Sequence, residues 1–181
     1  MKVQTTGLEG VLILEPKIFS DARGLFYESF NSRAFREASG LDAVFVQDNH
    51  SRSARNVLRG VHYQLVRPQG KLVRVVSGRV LDVAVDLRRS SLQFGRWIGV
   101  ELSADNARQL WLPPGFGHAF LALSDAAEVL YKTTEYWFAE HERVIAWNDP
   151  AIGIEWPLQG EPILSANDAA ARPLSESKTL D

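Results

Sequence analysis

The residues that decide the fold lie in two segments in the middle of the chain. The first is Arg59-Gly60-Val61-His62-Tyr63-Gln64, which continues to Gln69-Gly70-Lys71 and, after six intervening residues, to Gly78. The second is Pro113-Pro114-Gly115-Phe116-Gly117-His118. Each segment combines β-forming residues with a histidine and with glycines that punctuate strands. The two segments therefore predict a β-protein that presents histidines from two different strands.

The two segments resemble the two motifs that define the cupins. The first cupin motif has two histidines one residue apart, a glutamate a few residues on, and a glycine after six more residues. His62 and Gly78 match this pattern, but Gln64 stands at the second histidine and Lys71 at the glutamate. The second motif, Pro-x-Gly-x-x-His, is matched in full up to His118. The resemblance implies a cupin scaffold in which an ammonium group replaces the metal, so that protons and fixed charges carry the chemistry.

Composition limits the class of protein. The chain has 181 residues, which is most simply one domain spanning 1–181. Its net charge of −2 gives no global attraction to nucleic acid or membranes, and the absence of cysteine excludes disulfides, thiolate metal sites and cysteine nucleophiles. No stretch has the roughly 18 apolar residues of a membrane span, and the N-terminus has no apolar targeting core. We therefore expect a cytoplasmic enzyme or binding protein.

Short runs rich in Val, Leu, Phe, Tyr and Trp recur along the chain and are separated by turn residues. They predict strands at 11–14, 25–29, 43–47, 57–64, 71–76, 80–86, 97–102, 109–112, 118–123, 128–134 and 144–147. One helix is predicted at 32–38, with Asn31 or Ser32 as its N-cap. This pattern favours an all-β fold, here a cupin-like double-stranded β-helix (jelly roll) with a few short helices. The tail from residue 166 is rich in Ala, Ser and charge, which by composition predicts loose order.

Four polar side chains are candidates for chemistry, and each also has a simpler interpretation. His62 is the best general base because imidazole titrates near neutral pH, although a strand histidine is more often a packed or surface residue. Lys71 and Arg59 are either solvated charges or cavity residues that hold an anion and stabilise an enolate oxygen. Tyr131 is either a half-buried strand aromatic or a proton donor, because an unperturbed phenol has a pKa of about 10.

A metal site has too few ligands in this sequence. His62 and His118 supply two nitrogens, whereas His50 and His141 lie in unrelated contexts. Catalytic zinc normally takes three protein ligands, and Lys71 would repel a cation. The sequence therefore predicts neither a metal nor another cofactor.

Taken together, the motifs closely resemble those of the dTDP-4-dehydrorhamnose 3,5-epimerases, in one consistent order from about Phe19 to Asp168. The matching segments are Asp21-x-Arg23-Gly24-x-Phe26-x-Glu28, Val46-Gln47-Asp48-Asn49-His50-Ser51, Leu58-Arg59-Gly60-Val61-His62-Tyr63-Gln64, Gln69-Gly70-Lys71-Leu72-Val73-Arg74, Pro113-x-Gly115-x-x-His118-x-Phe120, Tyr131-Lys132-Thr133-Thr134, His141-Glu142-Arg143 and Trp147-Asn148-Asp149-Pro150. The resemblance implies a metal-free jelly roll that acts as a homodimer. It also implies epimerisation of dTDP-4-dehydro-6-deoxy-D-glucose at C3 and C5 in dTDP-L-rhamnose biosynthesis.

The resemblance assigns a role to each site residue. His62 is implied to be the base that removes the C3 and C5 protons, with Asp168 as its partner. Tyr131 is implied to be the acid on the opposite face, and Lys71 to lie near the C4 oxygen. The positions implied to bind substrate are Arg23, Glu28, Gln47, Asn49, Arg59, Lys71, His118 and Glu142. Segment 23–28 is expected to reach the site of the partner subunit.

The reaction fits these residue types on chemical grounds. A C–H bond beside a ketone is acidic because its conjugate base is an enolate. Inversion requires one side chain to take the proton from one face and a second to return it on the other face. Imidazole and phenol are such a pair, and an ammonium group at the enolate oxygen lowers the barrier. A diphosphate would also explain a local cluster of arginine and lysine in a slightly acidic protein.

Three points stay open at the level of sequence. The family commonly has a lysine before the tail aspartate, where this chain has Asn167, so a positive charge is lost and a donor remains. Phe19, Phe26, Tyr136 and Trp137 are all candidates to stack on thymine. The alternative functions are a single-centre epimerase (C3-only or C5-only), a non-catalytic sugar-binding cupin and a metal-dependent cupin oxygenase.

Overall fold

The structure, a computed structural model, describes residues 1–180. Its strands are β1 (Lys2–Thr5), β2 (Leu12–Glu15), β3 (Phe19–Asp21), β4 (Gly24–Phe26), β5 (Gln47–Ala54), β6 (Leu58–Gln64), β7 (Lys71–Ser77), β8 (Arg79–Asp86), β9 (Trp97–Ser103), β10 (Gln109–Leu112), β11 (Phe116–Ala122), β12 (Ala126–Thr133) and β13 (Glu142–Val144). The helices are α1 (Ser32–Ser39) and α2 (Ala166–Ala169), with short 3₁₀ turns at Ala139–His141 and Leu174–Glu176.

Two antiparallel sheets face each other. The first has six strands in the order β1-β2-β10-β7-β12-β5, and the second has five in the order β13-β6-β11-β8-β9. Strands β3 and β4 form a separate two-stranded hairpin. From β5 to β13 the chain passes repeatedly from one sheet to the other, with β8 and β9 as the one consecutive pair in the same sheet. The fold is therefore the cupin-like jelly roll that the sequence predicts, and that prediction is confirmed.

Alternation along the strands divides the apolar residues between two cores. In β8, Val80 and Ala84 face the interior between the sheets, where they pack with Phe120 and Val129. Val83 and the neighbouring outward-facing residues pack instead under a cover made by the C-terminal third of the chain. Both faces of the second sheet are therefore buried, which explains why its central strands are almost continuously apolar.

Helix α1 covers the outer face of the first sheet. It begins after Asn31, whose side chain accepts a hydrogen bond from the Ala34 amide at 3.1 Å, and it ends at Gly40 in the left-handed conformation. Phe35 is the buried residue of the helix, and its ring lies edge-on to that of Trp111 with 5.6 Å between centroids. The predicted helix is confirmed, with Asn31 as the cap.

Three of the predicted strands are wrong in position. The strand expected at 43–47 lies instead at Gln47–Ala54, whose sequence QDNHSRSA has little apolar signal. It was missed because its inward side chains face a polar cavity rather than the core. The strand expected at 144–147 lies at Glu142–Val144, and the one at 25–29 is cut short to Gly24–Phe26.

Loose order of the tail, as predicted from composition alone, is also wrong; the resemblance, which makes Asp168 the partner of His62, already implied an ordered tail. Backbone hydrogen bonds tie the tail to segments that directly follow strands of the second sheet: Ala146 N, after β13, donates to Arg172 O at 2.9 Å, and Arg89 N, after β8, donates to Leu180 O at 2.7 Å. Asp168, in α2, is only 3% exposed. Composition misses this order because main-chain bonding does not depend on side-chain polarity. Within residues 1–180, no helix is both long enough and apolar enough to cross a membrane.

Candidate active site

A cavity of about 350 Å³ opens between the two sheets. The predicted site residues that line it are Gln47, Asn49, Arg59, His62, Lys71, His118, Tyr131 and Glu142. Ser51, Gln69, Phe120 and Trp137 complete the lining. The first three belong to the matching segments but were given no role, whereas Trp137 was one of the four aromatic candidates for stacking on thymine. Most of the predicted site is therefore brought to one place in a single chain.

The two walls of the cavity carry different chemical groups. His62 on β6 and His118 on β11 belong to the five-stranded sheet, where they are register partners. Lys71 on β7 and Tyr131 on β12 belong to the six-stranded sheet. A ligand held between the sheets therefore presents one side to an imidazole and the other to a phenol and an ammonium group.

His62 is held by a buried carboxylate. Its Nε2 lies 2.6 Å from Oδ1 of Asp168, whose side chain is 2% exposed. Burial raises the pKa of Asp168, but hydrogen bonds from His62, Ser165 and the Gly60 amide, with the charge of His62, bring that pKa below its ordinary value. Because an ionised carboxylate only accepts hydrogen bonds, Nε2 carries the shared proton and Nδ1 is left as the basic nitrogen.

Gly60 allows this contact. Its φ is +109°, and a Cβ placed there would lie 2.4 Å from the carbonyl oxygen of His118 and 2.7 Å from Ala119. The absence of a side chain lets β6 run close to β11. It also leaves the Gly60 amide free to donate to Oδ1 of Asp168 at 3.3 Å.

Lys71 lies in the interior, so the interpretation as a solvated edge charge is wrong. The residue is 7% exposed, because β7 is flanked by β10 and β12. Burial lowers the pKa of Lys71 from 10.5 to about 8, and the charges of Glu142 and Asp82 limit the decrease. At neutral pH the cavity therefore contains an ammonium group that is close to losing its proton.

Tyr131 remains a phenol over the neutral range. Burial, followed by the negative charge of Glu142, raises its pKa, and Arg59 opposes the shift. Its ring centroid lies 6.1 Å from that of His118. A neutral phenol in this position is able to give a proton to a group in the cavity.

His118 is paired with a carboxylate that sequence reasoning missed. Its Nε2 lies 3.1 and 3.0 Å from the two oxygens of Asp82, which has no exposed surface. The available sequence signal was that Asp82 alternates with Val80 and Ala84, both of which face the interior.

Arg59, at the exposed end of the cavity, donates from Nε to Ser53 Oγ at 3.1 Å.

Gln64, at the position of the second cupin histidine, supports a loop. Its amide nitrogen donates to the carbonyl oxygens of Arg67 at 2.8 Å and Tyr136 at 3.2 Å. Its amide oxygen accepts from the Phe138 amide at 2.9 Å. These bonds hold the loop that places Trp137 at the cavity, a role that requires both donors and an acceptor on one side chain.

Besides Asp168, which lies behind His62, three positions that the resemblance singles out do not line the cavity. Arg23 is at the turn of the β3–β4 hairpin, with an 89% exposed side chain that pairs with Asp21. Glu28 accepts from Asn31 at 3.1 Å. Asn167 lines a separate surface cleft of about 370 Å³. Within residues 1–180, no group of three or more His, Cys, Asp or Glu side chains is placed to hold a metal ion.

Comparison with known proteins identifies the family. The sequence profile of the dTDP-4-dehydrorhamnose 3,5-epimerases matches residues 5–176 of this chain. The chain belongs to this family. A dTDP-4-dehydrorhamnose 3,5-epimerase of Pseudomonas aeruginosa is 55% identical over 177 residues, covering 98% of each protein. The family and the isomerase class predicted from the motifs are confirmed.

Solved structures of family members have the same fold. The epimerase from Legionella pneumophila, in complex with dTDP-4-keto-L-rhamnose, superposes with a TM-score of 0.95 at 48% identity, covering 98% of this chain and 94% of the other. A 3′-monoepimerase from Streptomyces bikiniensis, in complex with dTDP-quinovose, gives a TM-score of 0.88 at 39% identity, covering 94% and 86%. The shared fold therefore includes both double and single epimerases.

Proposed function

We propose that the cavity is the active site in which this chain epimerises dTDP-4-dehydro-6-deoxy-D-glucose at C3 and C5 to dTDP-4-dehydro-L-rhamnose, in dTDP-L-rhamnose biosynthesis. The observation that carries the proposal is the placement of an imidazole and a phenol on opposite walls of one cavity. Epimerisation needs a base on one face of the carbon and an acid on the other, and this arrangement supplies both.

Each epimerisation moves two protons. Nδ1 of His62 takes the proton from the carbon next to the ketone, and the electron pair of the C–H bond passes to the C4 oxygen as an enolate. The Lys71 ammonium stabilises that oxygen because it is a positive charge on a buried side chain. Tyr131 then returns a proton to the carbon from the opposite face. Exchange with solvent resets both side chains before the second carbon reacts.

The remaining residues of the cavity suit the nucleotide diphosphate. Arg59 supplies a guanidinium group at the exposed end, where two planar N–H pairs match phosphate oxygens. Gln47 and Asn49 add amides on the inner face of β5. Of the four aromatic candidates for stacking on thymine, Trp137 is the one that lines the cavity of its own chain, with 54% of its surface exposed.

The proposed assembly is a homodimer in which segment 23–28 completes the site of the partner. The β3–β4 hairpin bonds to neither large sheet and exposes Phe19, Leu25 and Phe26 at 53, 61 and 68%. Apolar side chains on a projecting hairpin favour a protein partner. Arg23, which the single chain leaves outside its own cavity, would then face the substrate of the other subunit.

Complementation tests the dimer. Arg23→Ala and His62→Ala variants are each expected to lose activity when pure. Mixed after reversible dissociation, they should recover about one quarter of the wild-type activity, because each heterodimer keeps one intact site. No recovery, in a mixture shown to contain heterodimers, would place Arg23 in the site of its own chain or outside the reaction.

The reaction is tested by proton NMR of dTDP-4-keto-6-deoxy-D-glucose with the enzyme in deuterated water. Deuterium is expected at both C3 and C5, with rhamnose formed once a reductase and NADPH are added. Exchange at C3 or C5 alone would assign a single-centre epimerase. No exchange would favour a non-catalytic sugar-binding protein.

Two histidine variants test whether His62 carries out the proton transfer. His62→Ala should abolish exchange while leaving dTDP binding in place. His50→Ala is the matched control, because this exposed histidine bonds to Glu128 outside the cavity and should keep full activity. Full activity in His62→Ala would remove His62 from the mechanism.

A further inference from the structure

The carboxylate behind His62 has a third partner that lies outside the cavity. Ser165 Oγ donates to Oδ2 of Asp168 at 2.7 Å, and the Asp168 amide donates back to Ser165 Oγ at 3.1 Å. Ser165 is thus the N-cap of α2 and at the same time holds the side chain of the third helical residue.

The hydrogen bond from Ser165 fixes the orientation of the Asp168 carboxylate. With Oδ2 bonded to Ser165, Oδ1 is directed to His62 Nε2 at 2.6 Å and to the Gly60 amide at 3.3 Å. Of the titratable side chains among residues 1–180, His62 is the one in contact with Asp168. Rotation of the carboxylate would break all three bonds together.

We propose that Ser165 is a positioning residue of the reaction, which fixes Asp168 and through it the orientation and tautomer of His62. Ser165 is not among the residues that line the cavity, so it acts on the proton transfer and not on substrate binding. The inference rests on the proposed function for its kinetic consequences. Its structural consequence, the state of the His62 ring, is measurable without substrate.

The kinetic test compares Ser165→Ala with the matched control Ser177→Ala. Ser177 is also a tail serine, and its hydroxyl bonds to the Pro173 carbonyl oxygen at 2.9 Å, away from Asp168. Ser165→Ala should lower kcat about tenfold with dTDP binding and KM unchanged, because only the positioning of the base is lost. Ser177→Ala should keep the wild-type kcat, and Ser165→Thr should restore most of it.

The pH profile separates positioning from helix capping. The Ser165 hydrogen bond is one of the contributions that lower the pKa of Asp168, so its removal lets the carboxylate protonate at higher pH. The acid limb of kcat/KM should move to higher pH in Ser165→Ala. It should move further in Ser165→Asp, which still caps α2 but cannot donate and adds a negative charge.

Nitrogen-15 NMR of labelled histidine gives the readout that needs no substrate. Neutral His62 should be the Nε2–H tautomer in wild type and a mixture of tautomers in Ser165→Ala. An unchanged tautomer together with wild-type kcat and pH profile would overturn the proposal. If the wild-type enzyme shows no exchange, the proposed function fails, while the tautomer measurement still decides the role of Ser165.

Discussion

Replacing Lys71 by methionine should make the protein more stable and less active. The side chain is 7% exposed, and burial lowers its pKa from 10.5 to about 8. The difference between these two values corresponds to about 3 kcal/mol, which is the penalty for keeping the ammonium group in the folded chain. Methionine has a similar shape and carries no charge, so it removes that penalty.

The sign of the effect depends on pH. Below about pH 8, Lys71 is charged in both the folded and unfolded chains, and the full penalty applies. Between about 8 and 10.5 the folded chain loses the proton while the unfolded chain keeps it, so the stability of the wild type rises with pH. The stability advantage of Lys71→Met should therefore shrink by about 3 kcal/mol across this window.

The assay is urea unfolding of wild type and Lys71→Met at several pH values and one protein concentration, because the proposed dimer would unfold in a concentration-dependent way. Taking the difference cancels all other titrating groups. The control is Lys2→Met on the exposed face of β1, for which we expect no pH-dependent difference. A difference between wild type and Lys71→Met that stays constant from pH 7 to 10.5 would refute the reasoning. The Lys71→Met variant should also incorporate deuterium at C3 and C5 of the substrate much more slowly than wild type.

Other variants test the acid, the close strand contact and the buried carboxylate. Tyr131→Phe should slow net epimerisation more than exchange of the substrate C–H bonds, measured together by NMR; an equal loss of both would contradict the assignment. Gly60→Ala should lower the free energy of unfolding by about 3 kcal/mol, because its Cβ meets the backbone of β11. Gly24 also has a positive φ but has open space around it, so Gly24→Ala should lower the free energy of unfolding by less. Asp168→Asn should lower kcat about 100-fold, and a wild-type rate would exclude a role for the ionised carboxylate.

The sequence predicted well which strand residues come together around one cavity. His62, Lys71, His118 and Tyr131 all stand on strands, where alternation puts every second side chain on the same face. The order of the motifs identified the family. The family in turn implied a jelly roll, in which the inner faces of two sheets lie opposite each other. Strand β5 was misplaced because its polar inner face, although it lines the cavity, lacks the apolar pattern used to find strands.

Sequence patterns did not predict the burial of Lys71 or the pairing of Asp82 with His118. The low pKa of Lys71 follows from strands on both sides of β7, and these strands come from distant parts of the chain. Asp82 bonds to His118 across 36 residues. Alternation places Asp82 on the interior face of β8, but neither the burial of Lys71 nor the partner of Asp82 is encoded locally, because both depend on which strands become neighbours.

By itself, therefore, the sequence determined the family, the all-β architecture and the residue types available for proton transfer. The resemblance implied that Asp168 pairs with His62, but only the tertiary structure decided how a tail of disordered composition holds that carboxylate 2.6 Å from a histidine 106 residues away in the chain. The physical reason is that main-chain hydrogen bonds to segments that follow strands of the second sheet hold the tail, and Ser165 and Gly60 then direct the carboxylate. Composition indicates only which side chains prefer water. The main-chain hydrogen-bond partners of a segment are established only when the chain folds.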